Sequence, residues 1–123
     1  MAKIGGNIEG IIQTKKATGA KNAIGEAIHD WVKAASTKGW LSLQSGESKY
    51  NSFQAKVEES SHVFLCDYNA EIYALSLPDK DGKLPDVRMI LKGIIYDVLL
   101  IDNPDERNEQ LEIYLRRVGA AHG

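Results

Sequence analysis

The stretch that decides the fold is VRMILKGIIYDVLLI, residues 87–101. It consists of two apolar runs, residues 87–91 and 94–101, on either side of the pair Lys92-Gly93. Both runs are rich in β-branched and other large apolar side chains, which favour strands. Two such runs around a short turn that contains glycine are typical of a tight β-hairpin. The sequence therefore predicts a hairpin over residues 87–101.

Turn signals lie on both sides of this hairpin. The segment LPDKDGKLPDV, residues 77–87, has two prolines and an Asp-Gly pair, and we predict a mobile loop there. Residues 102–105, Asp-Asn-Pro-Asp, predict a turn. A further loop is predicted at residues 44–49, QSGESK.

Alternating apolar residues predict further strands upstream. The run of residues 53–68 has period two, with a parity shift across residues 58–61 that a β-bulge would produce. Its second half places four residues on one face: His62, Phe64, Cys66 and Tyr68. Leu41 and Leu43 alternate with polar residues in the same way. Residues 8–13 predict a short first strand.

Two segments fit either a helix or a strand. Residues 24–35 carry an apolar stripe at helical spacing, yet their tryptophan and β-branched residues also suit a strand. Leu111, Tyr114, Leu115 and Val118 fit a helical stripe, whereas Leu111, Ile113 and Leu115 alternate as a strand would. Periodicity alone leaves both alternatives open.

The pattern as a whole predicts one mostly β domain over residues 1–123. Five to seven short antiparallel strands joined by turns favour a small barrel or a sandwich. We expect residues 1–25 to be partly flexible, with TKKATGAKNAIG, residues 14–25, forming a flexible hairpin or loop. Residues 119–123 are predicted to be a frayed tail. Most of the tryptophans and tyrosines, including Trp31, Trp40 and Tyr96, are expected in or near the core.

Composition narrows the classes of function. The formal net charge is −2, from 15 basic and 17 acidic residues, whereas a dedicated nucleic-acid binder normally has a basic face and a high isoelectric point. Lys15, Lys16 and Lys21 form a small basic patch that suits at most nonspecific contact with DNA phosphates. No apolar run reaches about 18 residues, so we expect no transmembrane helix and no membrane partner. The N-terminus lacks the apolar core of a signal peptide, and the first location expected is the cytoplasm.

The residues that could do chemistry do not form a recognisable pattern. The histidines His29, His62 and His122 lack neighbouring ligands at metal-binding offsets, and the single cysteine, Cys66, lies in an apolar alternating run that predicts a buried thiol. Asp79, Asp81 and Asp86 lack the further oxygen ligands of a calcium loop. We therefore expect no catalytic, metal or cofactor-binding residues, no cofactor and no enzymatic activity.

The order of features over residues 27–119 resembles the head–tail joining, or head-closure, proteins of tailed bacteriophages and prophages. The resemblance lies in a tryptophan-containing strand, a strand with a Ser-His step that ends at a tyrosine, a long loop, a hairpin, an Asn-Pro turn and a closing strand. The matching residues are Trp40, His62, Tyr68, Arg88, Met89, Gly93, Tyr96, Val98, Ile101, Asn103, Pro104, Glu112 and Ile113. The linker of residues 74–86 departs from the family pattern in its length.

The resemblance implies a small β-barrel that forms a ring in the head–tail connector of the virion, closes the DNA-filled head below the portal and provides the docking surface for the tail. It also implies strands near residues 28–35 and 111–118. Implied partners are other connector subunits, portal or adaptor proteins and tail proteins, with a weakly associating monomer in isolation. We expect the loops near residues 44–52 and 77–87 to become ordered when a partner binds. Alternatives are a small nucleic-acid-binding barrel, a tail-completion protein of similar fold and a small enzyme.

Overall fold

The computed structural model describes residues 4–43 and 60–120. Its strands are β1 (Ile8–Lys21), β2 (Ala27–Leu43), β3 (His62–Asp67), β4 (Val87–Leu91), β5 (Ile94–Asp102) and β6 (Gln110–Ala120). A short helix, α1 (Ala70–Ala74), follows β3, and a single 3-10 turn, Pro104–Glu106, follows β5. The described part of the chain is thus mostly β, as predicted.

The six strands form one closed, barrel-like ring of antiparallel pairs. The order around the ring is β1-β2-β3-β6-β5-β4, and β1 then pairs with β4 to close it. The sandwich that the sequence left open is excluded for these strands, because they belong to one ring rather than to two facing sheets.

The hairpin predicted at residues 87–101 is confirmed. β4 and β5 pair from Arg88 opposite Asp97 to Leu91 opposite Ile94, and Lys92 and Gly93 form the turn, both with positive φ. β2 and β6 also settle the two ambiguous segments as strands. Their apolar residues lie on the two faces of a strand and not along one side of a helix.

Alternate residues of the strands fill the interior of the ring. In β3, Phe64 and Cys66 are fully buried, as the predicted alternation requires, and their cross-strand neighbours Ile113 and Leu111 are buried with them. The other core residues with almost no exposure are Ile12, Ile72, Met89, Leu91 and Leu115. Burial of each such side chain stabilises the fold by roughly 1.5–3 kcal/mol.

Three sequence predictions need correction, and one element was missed. Residues 14–21 are the second half of β1 and not a loop, because they pair with β2; the predicted hairpin is present, but its turn is confined to residues 22–26. The frayed tail does not begin at residue 119, since Gly119 and Ala120 pair with Ile95 and Ile94. Trp40 lies outside the core and is 45% exposed. Helix α1 was not predicted.

Some predictions fall wholly or partly outside the described residues. These are the loop near residues 44–52, the first half of the strand predicted over residues 53–68 with part of its bulge, His122 and the end of the tail. The mobility of residues 1–25 and 77–87 stays a prediction.

Candidate assembly surface

The β1–β2 hairpin is longer than the ring that it helps to close. β4 pairs with β1 only over residues 10–14, and β3 pairs with β2 only over residues 39–43. Beyond these limits β1 and β2 pair only with each other within the described part of the chain, out to Lys21 opposite Ala27. We call residues 15–33 the arm. At about 3.4 Å per residue, its strands extend roughly 20 Å past the closed sheet.

The tip of the arm is a turn built around Asn22. The side-chain oxygen of Asn22 accepts hydrogen bonds from the backbone amides of Ile24 and Glu26, both at 3.0 Å. The backbone of Asn22 also donates to the carbonyl of Glu26 at 2.9 Å. Gly25 has φ +88°, which glycine adopts at little cost, and its amide donates back to the carbonyl of Asn22. The turn is therefore held by hydrogen bonds among residues 22–26.

The arm carries exposed apolar side chains. Every residue from 15 to 30 is exposed, and the large apolar ones are Ile24 (79%) and Ile28 (40%), with Val32 (38%) close behind. An isolated two-stranded hairpin is marginally stable in water, because neither face is covered. A projecting hairpin with uncovered isoleucines and valine has the character of a contact surface for another protein.

The base of the arm is held against β4. The Arg88 guanidinium carbon lies 4.3 Å from the centroid of the Trp31 ring, and Arg88 Nε donates to Gln13 Oε1 at 2.7 Å. The cation–π contact and the charge-assisted hydrogen bond use the same planar group. These contacts orient the arm where it leaves the ring.

A second element stands beside the arm. Residues 77–86 form a loop in which Asp79 Oδ1 accepts hydrogen bonds from the amides of Asp81 and Lys83, at 2.8 and 2.9 Å. Gly82, with φ +78°, completes the turn. The acidic cluster noticed in the sequence thus shapes this loop, through the carboxylate of Asp79.

The loop touches the arm and leaves a groove next to it. The amide of Lys15 donates to the carbonyl of Asp86 at 3.3 Å. Past this bond lies an open groove of about 620 Å³, lined by Lys15, His29, Leu77, Asp79, Lys83, Leu84, Pro85 and Asp86. Leu77 and Leu84 are more than half exposed. The groove has apolar walls and charges of both signs.

The cysteine considered for catalysis lies apart from the arm. The Cys66 thiol is fully buried inside the ring; burial raises its pKa to about 11, although a hydrogen bond with Thr37 acts in the opposite direction. Such a thiol is protonated at neutral pH and is a poor nucleophile. It is a core residue, as the alternation of β3 predicted.

His62 packs on the ring at the start of β3. Its Nδ1 lies 2.9 Å from Ser61 Oγ, and its ring meets Tyr96 edge-on with centroids 5.2 Å apart. Burial and the nearby charge of Arg117 lower the pKa of His62. The other histidine within the described residues, His29, belongs to the arm and lines the groove beside it. The structure therefore brings neither His29 nor His62 into a catalytic pair with Cys66.

Residues 4–7 form a strap that the sequence gave no sign of. The carboxylate of Asp67 accepts the amides of Ile4 and Gly5, at 2.6 and 3.2 Å. The Trp40 indole donates to the carbonyl of Ile4 at 3.1 Å, so the exposed tryptophan holds the strap rather than the core. Asn7 then donates to Gly39 at 3.2 Å, and β1 begins at the next residue.

A search against protein-family models places this geometry in context. The model described as "phage head completion protein" matches residues 5–118, nearly the whole chain. The chain belongs to the phage head completion protein family. The resemblance drawn from the sequence is thereby confirmed. A comparison with curated proteins found no match.

Membership in this family gives the chain a structural role in phage head assembly and a place in the virion. It also means that other head or tail proteins of the phage are the partners to consider. Within the described residues, no helix is both long and apolar enough to cross a membrane. The arm and the groove are the surfaces on which partner contacts can be sought.

Proposed function

We propose that this family member forms a ring in the head–tail connector, where it closes the DNA-filled head below the portal and presents the docking surface for the tail. The observation that carries the proposal is the family match over residues 5–118, on a chain whose closed sheet bears a projecting arm. In this proposal the chain acts by binding other virion proteins and not by catalysis.

The two parts of the molecule suit the two tasks of a connector subunit. The closed six-stranded ring is a compact body with a filled interior. The arm and the loop of residues 77–86 project from it with exposed apolar side chains, which gain stability when a neighbour covers them. Because this gain comes only on assembly, we expect the isolated chain to be a weakly associating monomer.

Electrostatics favour protein partners over DNA. The net charge of −2 provides no general attraction to phosphates. Lys15, Lys16 and Lys21 are exposed on the arm, so the arm can make nonspecific phosphate contacts if it lies near packaged DNA. We expect such contacts to contribute little to affinity at physiological salt.

Disruption of the gene in the phage that encodes it tests the proposal. Mutant infections should accumulate heads that package DNA but leak it and carry no tails, and purified protein added to these heads should restore DNA retention and tail attachment. Co-purification of the protein with a portal ring or an adaptor-capped portal should follow.

Two results would overturn this assignment. In the first, mutant heads hold their DNA and lack tails only because the tails are defective. This result would make the chain a tail-completion protein. Mutant heads that are tight and tailed would remove it from the connector altogether. Heads that lack the portal are the control. Purified protein that binds to them as well is attached to a surface other than the connector.

A further inference from the structure

The two strands of the arm have open outer edges that differ in charge. Within the described residues, β1 has no strand partner on its outer side after residue 14, and β2 has none before residue 39. An open edge presents unpaired backbone amides and carbonyls that readily take up another strand. The β1 edge is basic, with Lys15, Lys16 and Lys21, whereas the outer part of β2, residues 27–32, carries only the acid Asp30, with Glu26 just before it in the turn and Lys33 just after it.

The register of the arm shows which backbone groups face outward. The amide of Lys15 donates to Asp86, so it points away from β2. In an antiparallel pair, two residues that stand opposite each other either both point their backbone amide and carbonyl toward the partner strand or both point them away from it. The two cases alternate along the strand. Trp31 stands opposite Lys15, and His29 stands opposite Ala17, two residues further along. The backbone groups of Trp31 and His29 therefore point to the open edge of β2, and those of Ala17 to the open edge of β1. The Trp31 amide donates there to Asp30 Oδ1 at 2.9 Å, so it must exchange this local bond for one to an added strand.

The groove beside the arm offers room for an incoming strand. It begins where the loop makes its last backbone contact with β1, between Lys15 and Asp86. A strand added there would meet His29 and Lys15 on the arm side, and the exposed Leu77 and Leu84 on the loop side.

We propose that the open β2 edge of one copy, residues 27–32, adds as an antiparallel strand to the open β1 edge, residues 15–21, of a second copy. The occupant is a second copy because its β2 edge brings Asp30, with Glu26 at the adjoining turn, to an edge that bears Lys15, Lys16 and Lys21. This inference rests on the proposed ring and names the contact between its subunits.

The pairing repeats from copy to copy. Each subunit uses its β2 edge on one side and its β1 edge on the other, which is a heterologous contact that closes into a ring when the rotation between copies allows it. Copies related by rotation about an axis along the arms keep all arms parallel. β2 of one copy then runs antiparallel to β1 of the next, just as the two strands run within one arm.

Proline at position 29 tests this contact. His29→Pro removes a backbone donor from the open edge of β2, while the β1–β2 hydrogen bonds stay, because the amide of His29 points away from β1. His29→Ala is the matched control, since it removes the same imidazole and keeps the amide. Circular dichroism and an amide NMR spectrum establish that both variants fold.

Loading onto heads and free association are then measured for each variant. Heads from the gene-disrupted phage are incubated with wild-type, His29→Ala or His29→Pro protein, and bound copies are counted. Sedimentation velocity at increasing concentration follows association of the free protein. We expect His29→Ala to load like the wild type and His29→Pro to load and self-associate at least tenfold more weakly. Equal loading of folded His29→Pro and His29→Ala would overturn the edge pairing and leave the ring in place.

Failure of the wild type to load would instead count against the proposed function. Self-association of the free protein then tests the edge pairing by itself. The pairing is supported if only His29→Pro fails to self-associate. It is overturned if the wild type does not self-associate, or if the wild type, His29→Ala and His29→Pro self-associate equally. If His29→Pro does not fold, Ile28→Lys replaces it, with Ile28→Thr as its control. A lysine at position 28 would face the neighbour's lysines, so loss of loading by Ile28→Lys but not by Ile28→Thr supports the pairing, and equal loading overturns it.

Discussion

Asp102 and Glu112 stand directly opposite each other on the adjacent antiparallel strands β5 and β6. Like charges in this position repel, and both side chains are only partly exposed. Burial raises the pKa of Glu112, and the charge of Asp102 raises it further; burial is also the main cause of the raised pKa of Asp102. The pair therefore destabilises the ring at neutral pH.

Replacement of Glu112 by glutamine should stabilise the chain at pH 7. The change removes one charge of the repelling pair and keeps the shape of the side chain, so we expect a gain of about 0.5 kcal/mol in the free energy of unfolding. A carboxyl whose pKa is higher in the folded than in the unfolded chain binds its proton more tightly when folded, so its contribution to stability falls as pH rises through that window. The gain from Glu112→Gln should consequently disappear at pH 3, where both carboxyls are protonated.

Urea unfolding of the wild type and Glu112→Gln at pH 7 and pH 3 measures this difference. Glu109→Gln is the control, because that side chain is exposed and not part of the pair. A gain that is equal at both pH values would show that the glutamine stabilises by packing and not by loss of charge.

Gly39 is expected to tolerate no side chain. A Cβ at this position would lie 2.2 Å from the carbonyl oxygen of Leu65 and 2.7 Å from the ring of Phe64. Since the first of these atoms is backbone, Gly39→Ala should cost at least about 3 kcal/mol and lower the melting temperature by more than about 10 °C. Gly119→Ala is the matched control, since a Cβ there meets nothing within 4 Å. Similar melting temperatures for the two variants would contradict the close packing of Gly39 in β2 against Phe64 and Leu65 in β3.

Release of the N-terminal strap should follow from loss of the Asp67 carboxylate. Asp67→Ala removes the acceptor of two backbone amides, and we expect a loss of about 1–2 kcal/mol. The indole proton of Trp40 should shift toward its solvent-exposed position in an amide-detected NMR spectrum, because its acceptor on Ile4 is no longer held in place. Asp81→Ala, which changes an exposed carboxylate, should leave that signal unchanged. An unmoved Trp40 signal in Asp67→Ala would mean that the strap is held by other contacts.

The parts of the fold that could be predicted are those with alternating apolar residues. The hairpin of residues 87–101 and the burial of Phe64 and Cys66 in β3 follow from period two and turn chemistry. Helix α1 was missed because five residues are too few to show a helical period. Its one local signal is Asn69, whose side chain caps the amides of Glu71 and Ile72.

The arm could not be predicted for a different reason. Residues 14–21 are small or polar and favour no regular structure by propensity, so the sequence indicated a loop. They form a strand because β2 pairs with residues 14–17 and with Lys21, across an irregularity at residues 18–20, and such pairing is not encoded in local propensity. The exposed isoleucines Ile24 and Ile28 were visible in the sequence, but only the closure of the ring at residue 14 shows that they extend beyond it. The carboxylate pair of Asp102 and Glu112 likewise depends on a register that no local pattern specifies.

The buried thiol of Cys66 should be inert in the folded chain. Its pKa of about 11 leaves less than about 0.1% of the thiol ionised at pH 8, and its side chain has no exposed surface. We expect no reaction with a disulfide reagent such as dithionitrobenzoate over an hour in native buffer, and release of one equivalent of thiolate after unfolding in guanidinium chloride. Cys66→Ala should then retain head loading and lose about 1 kcal/mol or more of stability, since it leaves a small cavity in the ring. Rapid labelling of the native protein would show that the ring opens in solution, and loss of head loading by a folded Cys66→Ala variant would give the thiol a role beyond packing.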